Sequence, residues 1–352
     1  MDGIAHISSL QNSCAVEINP PLKFTGRSYK LTQVDQSAQM IEMTKILICD
    51  PIHPDGPSLM RKAGLDVEED SSITAEQLQS RIDDFDAVVV RGRTKITASV
   101  LNSASKLRVV ARSGVGLDNI DLDTAKAKSI EVISTPAAPT SGVAELTIGL
   151  MLALIRKISY ADRTIKEGKW MKAELMGSEL KSKTIGIIGG AGRIGLEVAR
   201  IAIHGFGSRA VGYDVIDFAE KARQTGIVVV SDLNELLAQS DIVSIHVPYL
   251  QSTHHLINEK SFSRMKKGSM LVNASRGDIV DGHALLEALN SGELGGAGLD
   301  VFHKEPPVDE WERNLIKLPN VVCTAHIGAQ TTECQRLEST QVAEQLIQIF
   351  KN

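Results

Sequence analysis

Gly190-Ala191-Gly192-Arg193-Ile194-Gly195 is the stretch whose residue types and spacing speak most directly of chemistry. It follows an apolar run at 184–188 and leads into a helical pattern, the context in which a glycine-rich turn becomes a phosphate cradle. Glycines there let backbone N–H groups and a helix N-terminus approach a pyrophosphate. A second apolar run ends in Val211-Gly212-Tyr213-Asp214, placing Asp214 19 positions beyond Gly195. An acidic side chain at that point accepts hydrogen bonds from adenosine ribose hydroxyls and repels a 2'-phosphate, and no arginine directly follows to neutralise it. Asp214 therefore favours NAD over NADP, with a strand-end cap as the plainer alternative.

Such a turn needs a parallel sheet to hold it. Short apolar runs at 184–188, 210–213, 228–230, 242–246, 269–272 and 296–299 predict six strands, enough for a complete dinucleotide fold. Earlier runs at 46–49, 87–90, 109–111 and 132–133 predict a preceding α/β region. Between the two series the pattern predicts one helix over 141–166, with Ser141 and Glu145 approximating its start. A last helix is predicted over 332–350.

The 352 residues, 43% of them hydrophobic, can bury substantial cores and suggest two domains. A formal net charge of -5 gives no electrostatic argument for binding nucleic acid or an anionic membrane, so an anionic ligand must meet local positive charge. Cys14, Cys49, Cys323 and Cys334 are scattered, without CxxC or Cys/His ligand spacing, which points to a reduced cytoplasmic setting and no metal site. The most apolar stretch, 146–155, soon meets Arg156 and Lys157 and reads as a buried helix rather than a membrane span. Residues 1–43 lack the pattern of a secretory signal or transit peptide and read as a peripheral or disordered extension.

Together with the glycine-rich turn, three further blocks resemble the D-isomer-specific 2-hydroxyacid dehydrogenase family. They are Val272-Asn273-Ala274-Ser275-Arg276-Gly277-Asp278-Ile279-Val280-Asp281, Gly298-Leu299-Asp300-Val301-Phe302-His303-Lys304-Glu305-Pro306 and Thr324-Ala325-His326-Ile327-Gly328-Ala329. Within the family, Ala111-Arg112-Ser113-Gly114-Val115-Gly116-Leu117-Asp118-Asn119, and Gly168-Lys169-Trp170 with Met176-Gly177, look most like the phosphoglycerate dehydrogenase branch. The sequence departs from the usual pattern by one extra residue in Gly189-Gly190-Ala191-Gly192 and a second between Arg200 and Gly205. The first is expected to distort the pyrophosphate turn, the second to alter the following helix end and lengthen the path to Asp214. Pro139 and Ala325 stand where the family commonly has asparagine and proline.

The resemblance implies hydride transfer between NAD and a 2-hydroxy acid. His326 would exchange the hydroxyl proton, Glu305 would hydrogen-bond and orient its imidazole, and Arg276 would bind the substrate carboxylate through its planar fork. Amides around Ser113, Gly114 and Val115 would take the other carboxylate oxygen. Cofactor contacts are implied at Val115, Gly190, Gly192, Arg193, Ile194, Gly195, Asp214, Val247, Pro248, Ala274, Asp300, Gly328 and Ala329. Arg91, Arg93 and Arg156 are candidates for a substrate phosphate, the alternative being two solvated side chains and an interdomain ion pair.

The expected architecture is α/β, with two Rossmann-like or flavodoxin-like lobes of doubly wound parallel sheet and a closing cleft between them. A nucleotide domain at 143–330 is inserted into a substrate domain of 44–142 and 331–352. The implied reaction is oxidation of D-3-phosphoglycerate, which opens serine biosynthesis, by a homodimer joined through its nucleotide domains. The expected form is a short one without the C-terminal regulatory domain of longer members. A glyoxylate or hydroxypyruvate reductase is the nearest alternative, and an NAD(H)-sensing corepressor-like binding protein the alternative from another class.

Overall fold

The computed structural model describes residues 43–351, and the expectation for the N-terminal extension, like Cys14, falls outside them apart from Met43. Strands β1 (Lys45–Ile48), β2 (Asp66–Glu69), β3 (Ala87–Val90), β4 (Val109–Arg112) and β5 (Glu131–Ser134) form one parallel sheet in the order β2-β1-β3-β4-β5. Strands β6 (Thr184–Ile188), β7 (Arg209–Tyr213), β8 (Val228–Val229), β9 (Ile242–Ile245), β10 (Ser269–Asn273), β11 (Leu294–Leu299) and β12 (Val321–Cys323) form a second parallel sheet in the order β12-β11-β10-β9-β6-β7-β8. Central strands such as β3 and β9 are buried at every residue, as expected where helices cover both faces of a parallel sheet. Strand order reverses between β1 and β3 and again between β6 and β9, the places where open α/β sheets leave a crevice at their carboxyl ends.

Two strands escape the apolar pattern. β2 has one buried residue, Val67, because it is an edge strand paired only with β1, and β12 is three residues long and paired only with β11. The second sheet therefore has seven strands instead of six.

The helix expected over 141–166 is two helices, Thr140–Ile155 and Ile158–Lys166, separated at Lys157 with φ +53°. The break comes from chain folding back over the helix end: Ser178 N donates to Ile155 O at 2.9 Å and Lys157 Nζ to Glu174 O at 2.9 Å. Gly177 sits where a Cβ would come within 2.4 Å of Ile155 O, so that return path requires glycine. At the other end the helix begins one residue earlier than expected, after Pro139, and Ser141 lies inside its first turn instead of capping it.

The extra residue between Arg200 and Gly205 becomes a π-helical turn, Ile201–Gly205, at the end of the Arg193–Arg200 helix. A single widened turn absorbs one residue without shifting the strand beyond it. β7 pairs in unbroken register with β6, from Thr184 with Arg209 to Ile188 with Tyr213, so Asp214 still arrives beside the glycine turn. The C-terminal helix Thr332–Lys351 returns to pack on the Asp55–Lys62 helix and on β4 and β5 of the first sheet. No helix among the described residues is long and apolar enough to cross a membrane.

Candidate active site

The candidate residues cluster at strand carboxyl ends, where the chain leaves each sheet and its polar side chains are free of the core. Arg91 follows β3, Arg112 ends β4, the glycine turn follows β6, Asp214 follows β7, Arg276 lies three residues beyond β10, Asp300 follows β11 and His326 lies three residues beyond β12.

His326 Nδ1 lies 2.7 Å from Glu305 Oε2, and both side chains are partly open to solvent. Burial works to raise the Glu305 carboxyl. The hydrogen bond and charge of His326, the Phe302 amide and Arg276 outweigh it and hold the carboxyl below its ordinary value. Glu305 is thus a carboxylate at neutral pH, which leaves the Nδ1 position of the imidazole as donor and Nε2 facing outward without a partner among the described residues.

The loop that carries His326 is tied down by Asp300, which is buried. Its carboxylate accepts from Thr324 Oγ1 at 2.6 Å, Ile327 N at 2.8 Å and Gly328 N at 2.9 Å, while Asp300 O accepts from His326 N at 2.8 Å. These bonds hold His326 at φ +52°, a backbone conformation that a non-glycine residue keeps only when its surroundings impose it. Asp300 therefore acts here through the histidine loop.

Arg276 projects from a turn closed by buried Asn273, whose Nδ2 donates to Arg276 O at 2.8 Å and whose Oδ1 accepts from Ser275 N at 3.0 Å. Its guanidinium donates from Nε and an Nη to Asp118 Oδ2, at 3.0 and 2.9 Å, and from the other Nη to Ser275 O. Asp118 is the contact that sequence reasoning missed; the only signal was its place in the Ala111 to Asn119 block. Gly116 allows the approach, since a Cβ there would meet the Arg276 guanidinium.

The dinucleotide turn is shaped to take a phosphate. Gly189 has φ +94° and lies against His246 O, Gly190 lies against the Phe218 ring, and Gly195 against Gly189 O, each too close for a side chain. Gly189 N and Gly190 N both donate to Tyr213 O, so the extra glycine is held by the neighbouring strand and the turn stays compact. Gly192 precedes the helix without a side-chain cap, so the first N–H groups of Arg193, Ile194 and Gly195 point out unpaired, as a pyrophosphate requires. Asp214 Oδ2 accepts from Ala191 N at 2.9 Å and Oδ1 from Ile216 N at 3.1 Å, which braces the turn and leaves acceptor capacity for ribose hydroxyls. Arg193 also lines a cavity of about 580 Å³ with Pro136, Ala137, Gln341 and Gln345, where the first sheet's β5 end faces this turn.

Other expected contacts surround the same opening. Val115 is exposed at the mouth. Val247 O accepts from Ser275 Oγ and Pro248 O from Thr253 Oγ1, so both serve as backbone supports, while Ala274 precedes that serine in the β10 turn. Gly328 packs on Val143 and Asp300, and Ala329 O accepts from Gln335 Nε2 at 2.9 Å.

Four expectations change. Ser113 N donates to Val90 O and Gly114 N to Thr135 Oγ1, both at 2.9 Å, because the chain is still completing the sheet there; Val115 and Gly116 carry the next amides in the loop. Arg93 turns back into the first sheet, with Nε on Asp50 Oδ1 at 3.0 Å and its Nη groups on Ile73 O and Cys49 O, so three of its five donors hold it to the sheet. Arg156 sits at the C-terminal end of the Thr140–Ile155 helix, whereas Gly328 O lies against Gly142 at the opposite end. The fourteen residues from Gly142 to Arg156 put roughly 21 Å of helix between them, so Arg156 does not join the site within one chain. In its place the structure brings Arg112 close enough to Arg91 and Arg276 for their charges to act on it.

Another histidine shows what the site histidine is not. His246 follows β9, with Nε2 2.8 Å from Ser244 Oγ, and burial pushes it down to about 4. It stays neutral near pH 7 and serves the packing beneath the glycine turn.

Residues 148–328 match the family described as "D-isomer specific 2-hydroxyacid dehydrogenase, NAD binding domain". The chain is 42% identical over 309 residues to D-3-phosphoglycerate dehydrogenase of Methanocaldococcus jannaschii, covering 88% of this chain and 58% of that protein. It thus spans a little under three fifths of that relative. It is 43% identical to hydroxypyruvate reductase of Thermotoga maritima, covering 86% of this chain and 97% of that one. Among solved structures, D-lactate dehydrogenase of Aquifex aeolicus, complexed with NAD and lactic acid, superposes with a TM-score of 0.75 at 30% identity, over 88% of this chain and 94% of that one. A helix N-terminus opened by glycines, an acidic strand end beside it and a His–Glu pair across the crevice thus accompany likeness along most of the chain, and the chain belongs to the D-isomer-specific 2-hydroxyacid dehydrogenase family, with an NAD-binding domain.

Proposed function

We propose that this chain oxidises D-3-phosphoglycerate to 3-phosphohydroxypyruvate with NAD, and that it runs the reaction in either direction. The observation that carries the reading is the 2.7 Å bond between His326 Nδ1 and Glu305 Oε2, which leaves Nε2 as the proton-exchanging atom. Nε2 takes the substrate's hydroxyl proton as the C–H bond on the same carbon breaks, and returns one to the ketone oxygen in reverse. NAD supplies the hydride acceptor, held by the amides of Arg193 to Gly195 and by Asp214. Arg276 binds the substrate carboxylate, exchanging part of its bond with exposed Asp118 for a stronger bidentate one, and Val115 or Gly116 supplies an amide to the same group. Arg91 and Arg112 are the candidates for a second anionic group. The two sheets divide this work as a nucleotide domain at 143–330 and a substrate domain at 44–142 and 331–352. The reading includes a cytoplasmic homodimer that opens serine biosynthesis, for which the family resemblance is the support.

Hydroxypyruvate reduction is the second reading, favoured by the Thermotoga maritima relative, which matches over nearly its full length. Arg91→Ala separates the two. It is expected to lower kcat/KM for phosphohydroxypyruvate by roughly ten- to a hundred-fold, the worth of a charged hydrogen bond, and to change glyoxylate turnover little. Equal small losses on both substrates would move the assignment to the reductase.

A further inference from the structure

The C-terminal helix carries a row of residues four apart, Cys334, Glu338, Val342 and Leu346, all buried against the first sheet. Three of them are what a buried helix face needs. Glu338 is not: its side chain is 1% exposed, and its carboxylate oxygens have no well-formed hydrogen bond, only the weak Cys334 thiol as a neighbouring donor. The nearest charge partner is Arg91, whose Nη2 lies 3.7 Å from Glu338 Oε2, and Arg112 acts on the same carboxylate from the end of β4. Nε of Arg91 and Nε of Arg112 are likewise buried without partners. Arg93 is not available to this group, being held on Asp50, and Arg276 is held on Asp118. Two guanidiniums and one carboxylate thus meet at the carboxyl ends of β3 and β4 with donors and acceptors unspent. A half-satisfied buried polar network is costly and calls for a further partner.

The charges decide what kind of ligand. With Glu338 ionised the three groups carry one net positive charge; with a neutral residue at 338 they carry two. We propose that Glu338 determines substrate specificity by setting how much negative charge the Arg91–Arg112 pair accepts, its carboxylate neutralising one arginine so that a second anionic group on the substrate binds against it. The inference rests on the reading of Arg91 and Arg112 as the site of that second group. Burial raises the Glu338 carboxyl, and the two arginines and the Cys334 thiol offset this only in part, which is consistent with a charge held in tension.

The test compares Glu338→Gln and Glu338→Ala with the parent protein on phosphohydroxypyruvate and on hydroxypyruvate, with inorganic phosphate as an inhibitor of hydroxypyruvate reduction. Both variants are expected to raise the ratio of kcat/KM for the phosphorylated over the unphosphorylated acid by about ten-fold, mainly through KM, and to tighten inhibition by inorganic phosphate. A residue that merely holds the arginines in place would give the opposite sign in both variants, and either that result or an unchanged ratio would overturn the proposal. If neither parent nor variants reduce phosphohydroxypyruvate, the phosphoglycerate reading fails. The inhibition by inorganic phosphate then decides the role of Glu338 alone: tighter in both variants supports it, unchanged or weaker overturns it. Thermal melts identify a variant that does not fold, and the other variant then carries the comparison.

Discussion

Two glutamates meet cations in this molecule, and the protein treats them oppositely. Glu305 lies 2.7 Å from His326 at the open mouth, receives the Phe302 amide as well, and is held below the ordinary carboxylate value. Glu338 lies 3.7 Å from Arg91 in the core, has only the weak Cys334 thiol beside it as a hydrogen-bond donor, and is raised. Opposite charges are present in both pairs, so the sign of the shift is decided by desolvation set against hydrogen bonding. On the proposed reading, the pair that orients a proton carrier is kept wet and bonded, and the pair that balances charge is kept dry and loose.

The comparison is broken most severely at the mouth. His326→Asn is expected to lower kcat by roughly a hundred- to ten-thousand-fold in both directions, the usual worth of a general acid–base group, while NADH binding followed by fluorescence persists. Glu305→Gln keeps the shape but loses the charge, and should cost about ten- to a hundred-fold in kcat. Arg276→Ala should cost a similar factor, appearing mostly in the KM for every 2-hydroxy acid, phosphorylated or not.

The smallest effects sharpen the comparison through pH. Because Glu305 is lowered in the folded chain, its contribution to stability is present above the unfolded value of about 4.3 and is lost as pH falls through the folded value. Glu338 is raised, so the folded chain binds its proton more tightly than the unfolded chain and stability is lost as pH rises through the carboxylate range. Melting temperatures of Glu305→Gln and Glu338→Gln, measured against the parent from pH 4 to neutrality, should therefore diverge: about the same at the acid end, lower for the first variant and higher for the second at neutral pH. Parallel curves would remove the distinction between the two pairs.

How much of the fold is legible in the sequence depends on which forces leave a local trace. Central strands such as β3 and β9 are legible because burial on both faces demands unbroken apolar runs. β2 is not, because an edge strand with one buried valine reads as loop, and β12 is too short to stand out. The break at Lys157 is set by the chain returning at Gly177 and Ser178, which no local pattern announces. The extra residue before Gly205 is visible as a count, but its resolution as a π-turn that spares Asp214 is a matter of packing.

The site divides the same way. The glycine turn and Asp214 are legible from spacing alone, whereas Glu305 and His326, 21 residues apart, can be paired only through the blocks that carry them. Arg93 and Arg91 look equivalent in Val90-Arg91-Gly92-Arg93, yet the buried Asp50 captures the Arg93 guanidinium and takes only the backbone N–H of Arg91. Glu338 left a trace, a charge in a four-residue apolar row, whose meaning depended on arginines brought in from two other strands.

The central claim is that the His326–Glu305 pair carries proton exchange during hydride transfer to or from NAD. It is tested most directly by following NADH absorbance with phosphohydroxypyruvate, hydroxypyruvate, glyoxylate and pyruvate in parallel, for the parent protein and His326→Asn. The account predicts NADH-dependent reduction in the parent, fastest with phosphohydroxypyruvate and largely lost in the variant. Activity that survives in His326→Asn, or NADH binding with no turnover of any of the four acids, would contradict it.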